Sequence, residues 1–550
     1  MQLTPVLAET PRDALISARN RCTIIGPVCP INDIFATAQK IVTMLDLGTT
    51  LLAAVERDPD ALAIVDGDRR TTYAQWLGEI GRIAAALTAL PIDRGERLVV
   101  ALQNRHEMAT LHWACQMIGV VMTPVNWRAK PDELDFVLTD AEAKAVVFED
   151  TTASTVAAAK TAQRIPRIGI RGADGATLEF DALSAHDKTL ASSRATARDW
   201  SLMLYTSGTT GRGKGVPRRH YPERAAALAH VAQNRYGYGE TTLGVMPLYH
   251  TMGVRSLLAM ALINGCFVCL PRFFATRALE LIESEKVSNL YLVPTLYHDL
   301  LADSNFSAAD ISSVRKLGFA GAPMTDGLLQ RLVDAFQPEL FVNHYGSSEI
   351  YTFTICPDAH VKPGSAGKAG LNQRIRVVEI GATDPMTTLQ ANQEGQIIAS
   401  LASDEAFEGY WNRPDADRKA LHDGWYFTGD IGYWDRDGDL FVTGRVDDMI
   451  ISGGENIMPV EVESVLSLHP AVAEVAVAGI TDQRLGQRTV AYIKRRSDVD
   501  DASLDSYCRA SGLADFKRPR EYIFVQDVPK SPVGKILRRL LVAGEYEVDE

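Results

Sequence analysis

Basic charge is in short supply in this chain. Its 550 residues carry 56 Lys and Arg against 69 Asp and Glu, a formal net charge of −13. That balance excludes a general nucleic-acid binder, which needs a basic face, although a local basic patch stays open. Cysteine is scarce as well. Seven in this length build no disulfide framework, so a reducing compartment is expected. Cys266 and Cys269 form a C-x-x-C, but inside an apolar strand-like run with no second pair near it. Residues three apart on a strand face opposite sides, so core thiols are expected rather than zinc ligands. No uninterrupted apolar run reaches about 18 residues, which excludes a membrane-spanning helix. The segment Leu257 to Leu270 is broken by Asn264-Gly265 and reads as helix, turn and strand. No basic stretch leads into an apolar one at the N-terminus, so no signal peptide is expected and a cytoplasmic enzyme is. Internal repeats and low-complexity tracts are also lacking.

What is present is an ordinary globular composition, 46% hydrophobic and 23% charged, in a length suited to two or three domains. The most informative segment runs from Tyr205 to Gly215, Y-T-S-G-T-T-G-R-G-K-G, behind the apolar run Leu202 to Tyr205. Glycines let backbone N–H groups approach an anion, and the hydroxyls and lysine add donors. A phosphate-gripping loop is implied. Gly208, Gly213 and Lys214 match the spacing of a P-loop, but Gly215 stands where the Mg2+-binding hydroxyl belongs. A structural Gly/Ser/Thr loop is the bland alternative.

Apolar strand-like runs at Arg97 to Leu102, Ala145 to Phe148, Asn289 to Val293 and Phe341 to Tyr345 alternate with helical patterns up to about residue 443. This predicts layered α/β architecture with mainly parallel strands. Beyond 444 the pattern changes. Val462, Val465 and Leu466 lie at helical spacing behind Pro459, and Val475 to Ala478 and Val490 to Ile493 read as strands.

Further motifs follow the glycine-rich loop in a fixed order. They are Met246-Pro247-Leu248-Tyr249-His250, Phe319-Ala320-Gly321-Ala322-Pro323, His344-Tyr345-Gly346-Ser347-Ser348-Glu349 and the run Gly424 to Asp430. After these come Gly444 to Ile450, Ser452 to Ile457 and Pro529 to Lys535. From about residue 44 to 545 the chain resembles the adenylate-forming superfamily of acyl-CoA synthetases, adenylation domains and luciferases. Within it the wording is most similar to the aryl-CoA ligases typified by 4-chlorobenzoyl-CoA ligase, including Ala514 to Pro519 and Asp482-Gln483-Arg484. The resemblance implies an α/β fold with a large multi-subdomain N-terminal adenylating domain, residues 44–444, and a small α+β C-terminal lid, residues 445–550. Residues 1–43 have no place in the pattern. They are an N-terminal extension or are not translated, with Met44 as the preferred start.

The resemblance also implies the chemistry: ATP and a carboxylate give an acyl-adenylate and pyrophosphate, and the CoA thiol then displaces AMP. Lys535 would stabilise charge on the transferring phosphoryl group. Thr206, Ser207, Gly208, Thr209, Thr210 and Lys214 would hold the phosphates, and Glu349 would hold Mg2+. Asp430 would accept from the ribose hydroxyls, with Arg445 beside it. Tyr345, Gly321, Ala322, Gly346, Ser347 and Ser348 would complete the nucleotide slot, Tyr345 stacking near the adenine. Asp447 would be the hinge about which the lid rotates between half-reactions. Gly453 and Gly454 would line the CoA channel, and Arg128, Phe516, Arg518 and Arg520 would meet the CoA nucleotide. Lys530 is left as a second lysine of the last motif or a solvent-facing one.

For the acid, the resemblance places Ala229 or His230, then Thr251, Met252, Tyr291, Ala320, Ile350, Tyr351 and Thr352 in the acyl pocket. His250 would line or gate it. No Asp or Glu occurs between Met246 and Val254 to take an ammonium group, and no carrier-protein module follows Lys535, so free CoA is the expected acceptor. Leu485 stands where a tryptophan is expected beside CoA. The pocket reads as tyrosine hydroxyls and apolar groups without a fixed charge. That fits benzoate, a hydroxybenzoate, a furan acid or cyclohexanecarboxylate. A medium-chain fatty acid, a separate carrier protein as acceptor, and a non-catalytic nucleotide-binding protein are the alternatives. A homodimer is compatible with the family, and a small carboxylic acid, ATP and CoA are the expected partners.

Overall fold

Short, continuously apolar runs form strands that are covered on both faces, as parallel sheets require. In a computed structural model, which describes residues 44–206, 213–530 and 536–549, Arg97–Ala101 and Ala145–Phe148 are buried along their whole length. They lie in a sheet ordered Leu178–Glu179, Arg167–Gly169, Ala145–Phe148, Arg97–Ala101, Val121–Pro124, Trp200–Thr206 and Lys214–Arg219. Every pairing in it is parallel except the last. A second, larger sheet has a parallel half running from Leu62–Asp66 through Cys266–Cys269, Thr241–Gly244, Asn289–Leu292 and Lys316–Phe319 to Leu340–Tyr345. The helix His106–Ile118 is buried on every side. All-round burial identifies it as interior rather than surface. Trp113 on it meets Trp76 edge-on at 6.5 Å.

The prediction of mainly parallel strands holds as far as Tyr345. From there the larger sheet continues with antiparallel pairs through Thr354–Cys356, Ser365–Ala369, Leu440–Arg445 and Trp425–Trp434. The physical reason is connection length. A parallel neighbour needs a crossover of a dozen residues or more, whereas Trp434 reaches Leu440 through a tight turn with Gly438 at φ +75°. Cys266 and Cys269 are buried in their strand, and burial pushes the Cys266 thiol up to about 12. Among the described residues they belong to no metal-ligating cluster.

The C-terminal sheet pairs Glu455–Ile457, Ile450–Ser452, Gly486–Arg495 and Val472–Asp482 antiparallel, with Glu521–Phe524 added in parallel. Helix Pro459–Ser467 begins on its proline and buries Val462 and Leu466, as the spacing predicts. No helix among the described residues is long and apolar enough to cross a membrane. Residues 1–43 lie outside the described residues.

Candidate active site

The strand Trp200–Thr206 enters the glycine-rich segment and Lys214–Arg219 leaves it, with Thr206 opposite Lys214 in the antiparallel register. Ser207, Gly208, Thr209 and Thr210 lie outside the described residues. So does Lys535. Thr206 donates through Oγ1 to the Lys214 carbonyl at 3.5 Å. The Lys214 ammonium stands 4.0 Å from the centre of the Tyr410 ring, and the Tyr410 hydroxyl donates to Glu349 Oε1 at 2.7 Å. One ring therefore joins a cation to a carboxylate that is only 6% exposed. Burial depresses the Lys214 pKa; Glu349 opposes the shift, and Arg413, Lys419 and Arg445 add to it. Such a lysine is short of anionic partners, which a phosphate would supply.

The turn that carries Glu349 is fixed from beneath. Ser347 Oγ accepts from the N–H groups of Glu349 and Ile350 at 3.2 and 3.3 Å. A Cβ on Gly346 would fall 2.1 Å from the Tyr351 carbonyl, so only glycine passes there. Arg218 donates to the Glu349 carbonyl at 2.9 Å and to that of Ser348 at 3.4 Å. Its own charge is met by Glu223 at 2.5 Å, and both side chains are fully buried. The strand leaving the glycine-rich segment is thus tied to the turn bearing the carboxylate.

On the adjoining strands Asp430 lies opposite Arg445 in register, with Arg445 Nη1 3.0 Å from Asp430 Oδ1. Tyr345 donates its hydroxyl to Asp430 Oδ2 at 2.6 Å and packs edge-on against Phe353 at 5.0 Å. Its position is therefore set by the carboxylate expected at the ribose. Gly321 turns with φ +86° just beyond the strand Lys316–Phe319, and Ala320 beside it is buried. Lys214 on the smaller sheet, Glu349 in the turn beyond Leu340–Tyr345 and Asp430 on the larger sheet are linked through Tyr410 and Tyr345, which reach the two carboxylates. The AMP-binding enzyme family matches residues 51–411, and the AMP-binding enzyme C-terminal domain matches residues 461–535.

The chain belongs to the AMP-binding enzyme family.

This AMP-binding enzyme is an acid–thiol ligase of the acyl-CoA synthetase type. It is 32% identical over 509 residues to a 4-chlorobenzoate–CoA ligase of an Arthrobacter species, covering 90% of this chain and 95% of that one. It is 31% identical over 508 residues to a long-chain-fatty-acid–CoA ligase of Mycobacterium tuberculosis, covering 90% and 98%. Its fold is similar to that of an anthranilate CoA ligase solved with anthranoyl-AMP, with a TM-score of 0.83, 26% identity, and 92% and 98% of the two chains covered.

Among the side chains expected at the acid, three elements converge. His230 comes from helix His220–Gln233, Tyr291 from strand Asn289–Leu292 and His344 from strand Leu340–Tyr345. Their ring centres form a triangle of 4.8, 5.0 and 5.3 Å sides. Of the two alternatives Ala229 and His230, it is His230 that joins this cluster. Gly318, paired with Tyr291 across the sheet, leaves room for the ring; a Cβ there would sit 3.0 Å from it. Thr251 and Met252 open helix Thr251–Leu262 and are buried. His250 caps that helix, accepting from the Met252 N–H at 3.4 Å, and burial takes its pKa down to about 4. At neutral pH it is an uncharged imidazole.

The structure corrects three site expectations. A fixed charge does lie among the residues expected to line the acyl pocket. Arg255, 2% exposed, donates to Thr352 Oγ1 at 2.8 Å, to the Tyr351 carbonyl at 3.3 Å and to the Tyr291 hydroxyl. It lies four residues after Thr251, on the same helix face, and a lone arginine within V-R-S-L-L was the signal available. Ile350 and Tyr351 do not join the ring cluster. Ile350 packs with Val216, Phe353 and Phe407, while the Tyr351 hydroxyl donates to Glu223 at 3.0 Å. Successive side chains of an extended segment point apart, so only Thr352 of the three reaches Arg255. Arg518 is not free for CoA: Asp505 and Asp515 hold its guanidinium, and it is 9% exposed.

Phe516 and Arg520 are exposed, and Arg128 is exposed with its guanidinium stacked 3.7 Å over Trp127. Gly453 and Gly454 turn with φ +62° and +88° between Ile450–Ser452 and Glu455–Ile457, the signs a two-residue hairpin loop demands. Leu485 lies against this turn: a Cβ on Gly453 would be 3.5 Å from its side chain. Lys530 is paired with Glu474 at 2.5 Å. Asp447 sits in the single turn Val446–Asp448 that joins the larger sheet to the C-terminal one.

Proposed function

We propose that this ligase activates an aromatic or small cyclic carboxylic acid with ATP, forming an acyl-adenylate and then an acyl-CoA thioester with release of pyrophosphate and AMP. The observation that carries the reading of the acid is the ring triangle of His230, Tyr291 and His344. Flat side chains on three elements suit a flat substrate better than a flexible chain, because stacked or edge-on ring contacts reward planarity. Relatives named for 4-chlorobenzoate and anthranilate support the same reading.

Asp430 accepts from the ribose hydroxyls, Lys214 and Thr206 meet the β- and γ-phosphates, and Lys535 neutralises charge growing at the α-phosphate. Glu349 suits Mg2+, since a buried carboxylate with one oxygen steadied by Tyr410 offers the hard oxygen donor that ion prefers. When bound, Mg2+ would screen the charge of the leaving pyrophosphate. Rotation about Asp447 then brings Gly453 and Gly454 to the CoA arm, with Arg128, Phe516 and Arg520 available to its nucleotide.

The test is pyrophosphate release with ATP and Mg2+ over aromatic, alicyclic and medium-chain acids, with and without CoA. Turnover that requires both a ring acid and CoA is expected. Preference for linear acids would make the protein a fatty acyl-CoA synthetase, and pyrophosphate release indifferent to CoA would point to a carrier-protein acceptor.

A further inference from the structure

Tyr410 belongs to none of the ordered motifs, yet it reaches both Lys214 and Glu349. Its ring faces the Lys214 ammonium at 4.0 Å, and its hydroxyl donates to Glu349 Oε1 at 2.7 Å. The segment that carries it is pinned on both sides. The Phe407 N–H donates to the Glu349 carbonyl at 2.9 Å, and Ala406 bridges to Ile350. One residue beyond Tyr410, the Trp411 N–H donates to the Gly215 carbonyl at 2.9 Å, and its indole donates to the Asp140 carbonyl at 2.9 Å. A Cβ on Gly215 would stand 3.0 Å from that of Trp411, which accounts for a glycine where a P-loop has a hydroxyl. Tyr410 is thus fixed between the strand that leaves the glycine-rich segment and the turn that bears Glu349.

The two charges do not pair. Burial lowers the Lys214 pKa and Glu349 is the first charge to oppose it, so they lie within electrostatic reach. Among the described residues, however, Lys214 makes no ion pair and Glu349 Oε2 has no partner. Opposite charges away from bulk water attract strongly, so something must keep them apart. A phenol suits that task. Its face attracts the ammonium without neutralising it, and its hydroxyl fixes one carboxylate oxygen without taking the other. A direct Lys214–Glu349 pair would consume the cation expected at the phosphates and the oxygen expected at the metal together.

We propose that Tyr410 is a positioning residue that holds Lys214 and Glu349 apart and leaves Glu349 Oε2 to Mg2+. This rests on the reading of Glu349 as a metal ligand and Lys214 as a phosphate contact, and adds the residue that keeps both available. The hydroxyl orients the carboxylate, and the ring bars the ammonium from it. Hydrogen-bond partners of a metal-binding carboxylate govern metal affinity by about 10–100-fold.

The experiment titrates Mn2+ into the enzyme bound to an ATP analogue with a methylene bridge between the α- and β-phosphorus atoms. Free Mn2+ is counted by electron paramagnetic resonance, with enzyme in excess so that little analogue is free. Glu349→Gln should weaken Mn2+ binding by at least about tenfold, which checks the reading beneath the proposal. Tyr410→Phe keeps the ring and loses the hydroxyl, and about tenfold weaker binding is expected. Tyr410→Leu loses both, so Lys214 closes onto Glu349 and binding should weaken further. In that background Lys214→Met should recover the Tyr410→Phe affinity, whereas with Tyr410 in place it should change Mn2+ affinity by less than about threefold. A tyrosine that only packs would give no such recovery. Thermal melting confirms that each variant folds. Wild-type Mn2+ affinity in both Tyr410 variants, alongside loss in Glu349→Gln, would overturn the proposal. So would a Tyr410→Leu variant that Lys214→Met does not restore. Wild-type affinity in Glu349→Gln would instead remove Glu349 from the metal, and the underlying reading would fall.

Discussion

Glu223→Gln removes the charge that answers Arg218 while preserving shape. Arg218 and Glu223 are both fully buried, 2.5 Å apart, and the arginine is left with neutral acceptors only. Breaking a buried pair from one side costs about 3–5 kcal/mol, because the remaining charge is uncompensated. At roughly 2 °C per kcal/mol for a large domain, the melting temperature should fall by roughly 6–10 °C. Activity should fall too, since Arg218 also holds the Ser348 and Glu349 carbonyls. Displacement of a metal-binding carboxylate by an ångström costs on the order of a hundredfold in kcat/KM. The double variant Glu223→Leu with Arg218→Met separates the two effects. Replacing the whole pair with apolar groups of similar volume removes the uncompensated charge, leaving only the cost of the orphaned Tyr351 hydroxyl and the two carbonyls. Its melting temperature should return towards the wild type while kcat/KM stays low, because the two carbonyls have lost their donors. Differential scanning calorimetry and pyrophosphate release measure the two quantities. A single variant that melts within 2 °C of the wild type, or a double variant with full activity, would refute the reasoning.

Lys535→Ala should nearly abolish adenylation yet spare thioester formation from supplied acyl-adenylate; equal loss in both half-reactions would remove Lys535 from its assigned role. Asp447→Pro should slow CoA transfer selectively by stiffening the turn between the sheets, and normal overall turnover would exclude a hinge there. Stability should fall on acidification. The Leu47 N–H donates to His220 Nδ1 at 3.1 Å, and burial lowers the His220 pKa from 6.5 to about 4. Between those values the unfolded chain binds the extra proton and the folded one does not. The contribution is complete above about pH 6.5 and shrinks by up to about 1.4 kcal/mol per pH unit towards pH 4. A melting temperature that stays constant from pH 7 to 4.5 would contradict it.

The turn around Gly346 and the pairing of Asp430 with Arg445 were legible because local backbone chemistry and short motifs fix them. Gly346 is required by a carbonyl five residues away, and Asp430 and Arg445 face each other across a short connection. The acyl side was less legible because its contacts are long-range. Arg255 looks like a solvated residue until helix Thr251–Leu262 is buried against Tyr291 and Thr352, 36 and 97 positions away. Likewise His344 stood inside a recognised motif, but its packing against His230 and Tyr291 was not visible in the sequence. Arg518 read as an available cation because the residues that neutralise it, Asp505 and Asp515, are assembled by a local turn and helix whose geometry the sequence pattern did not specify. The antiparallel half of the larger sheet followed from turn lengths that alternation of strands and helices does not report.

Arg445 ends its strand two residues before Asp447, so the partner of Asp430 adjoins the connector to the C-terminal sheet. A pivot placed there has almost no lever arm at Arg445 and a long one at the far end of the domain. Rotation about it would leave the nucleotide contact nearly stationary while sweeping the last motif through a wide arc. The same small change of backbone angle would exchange one set of C-terminal groups for another above a nucleotide that never has to let go.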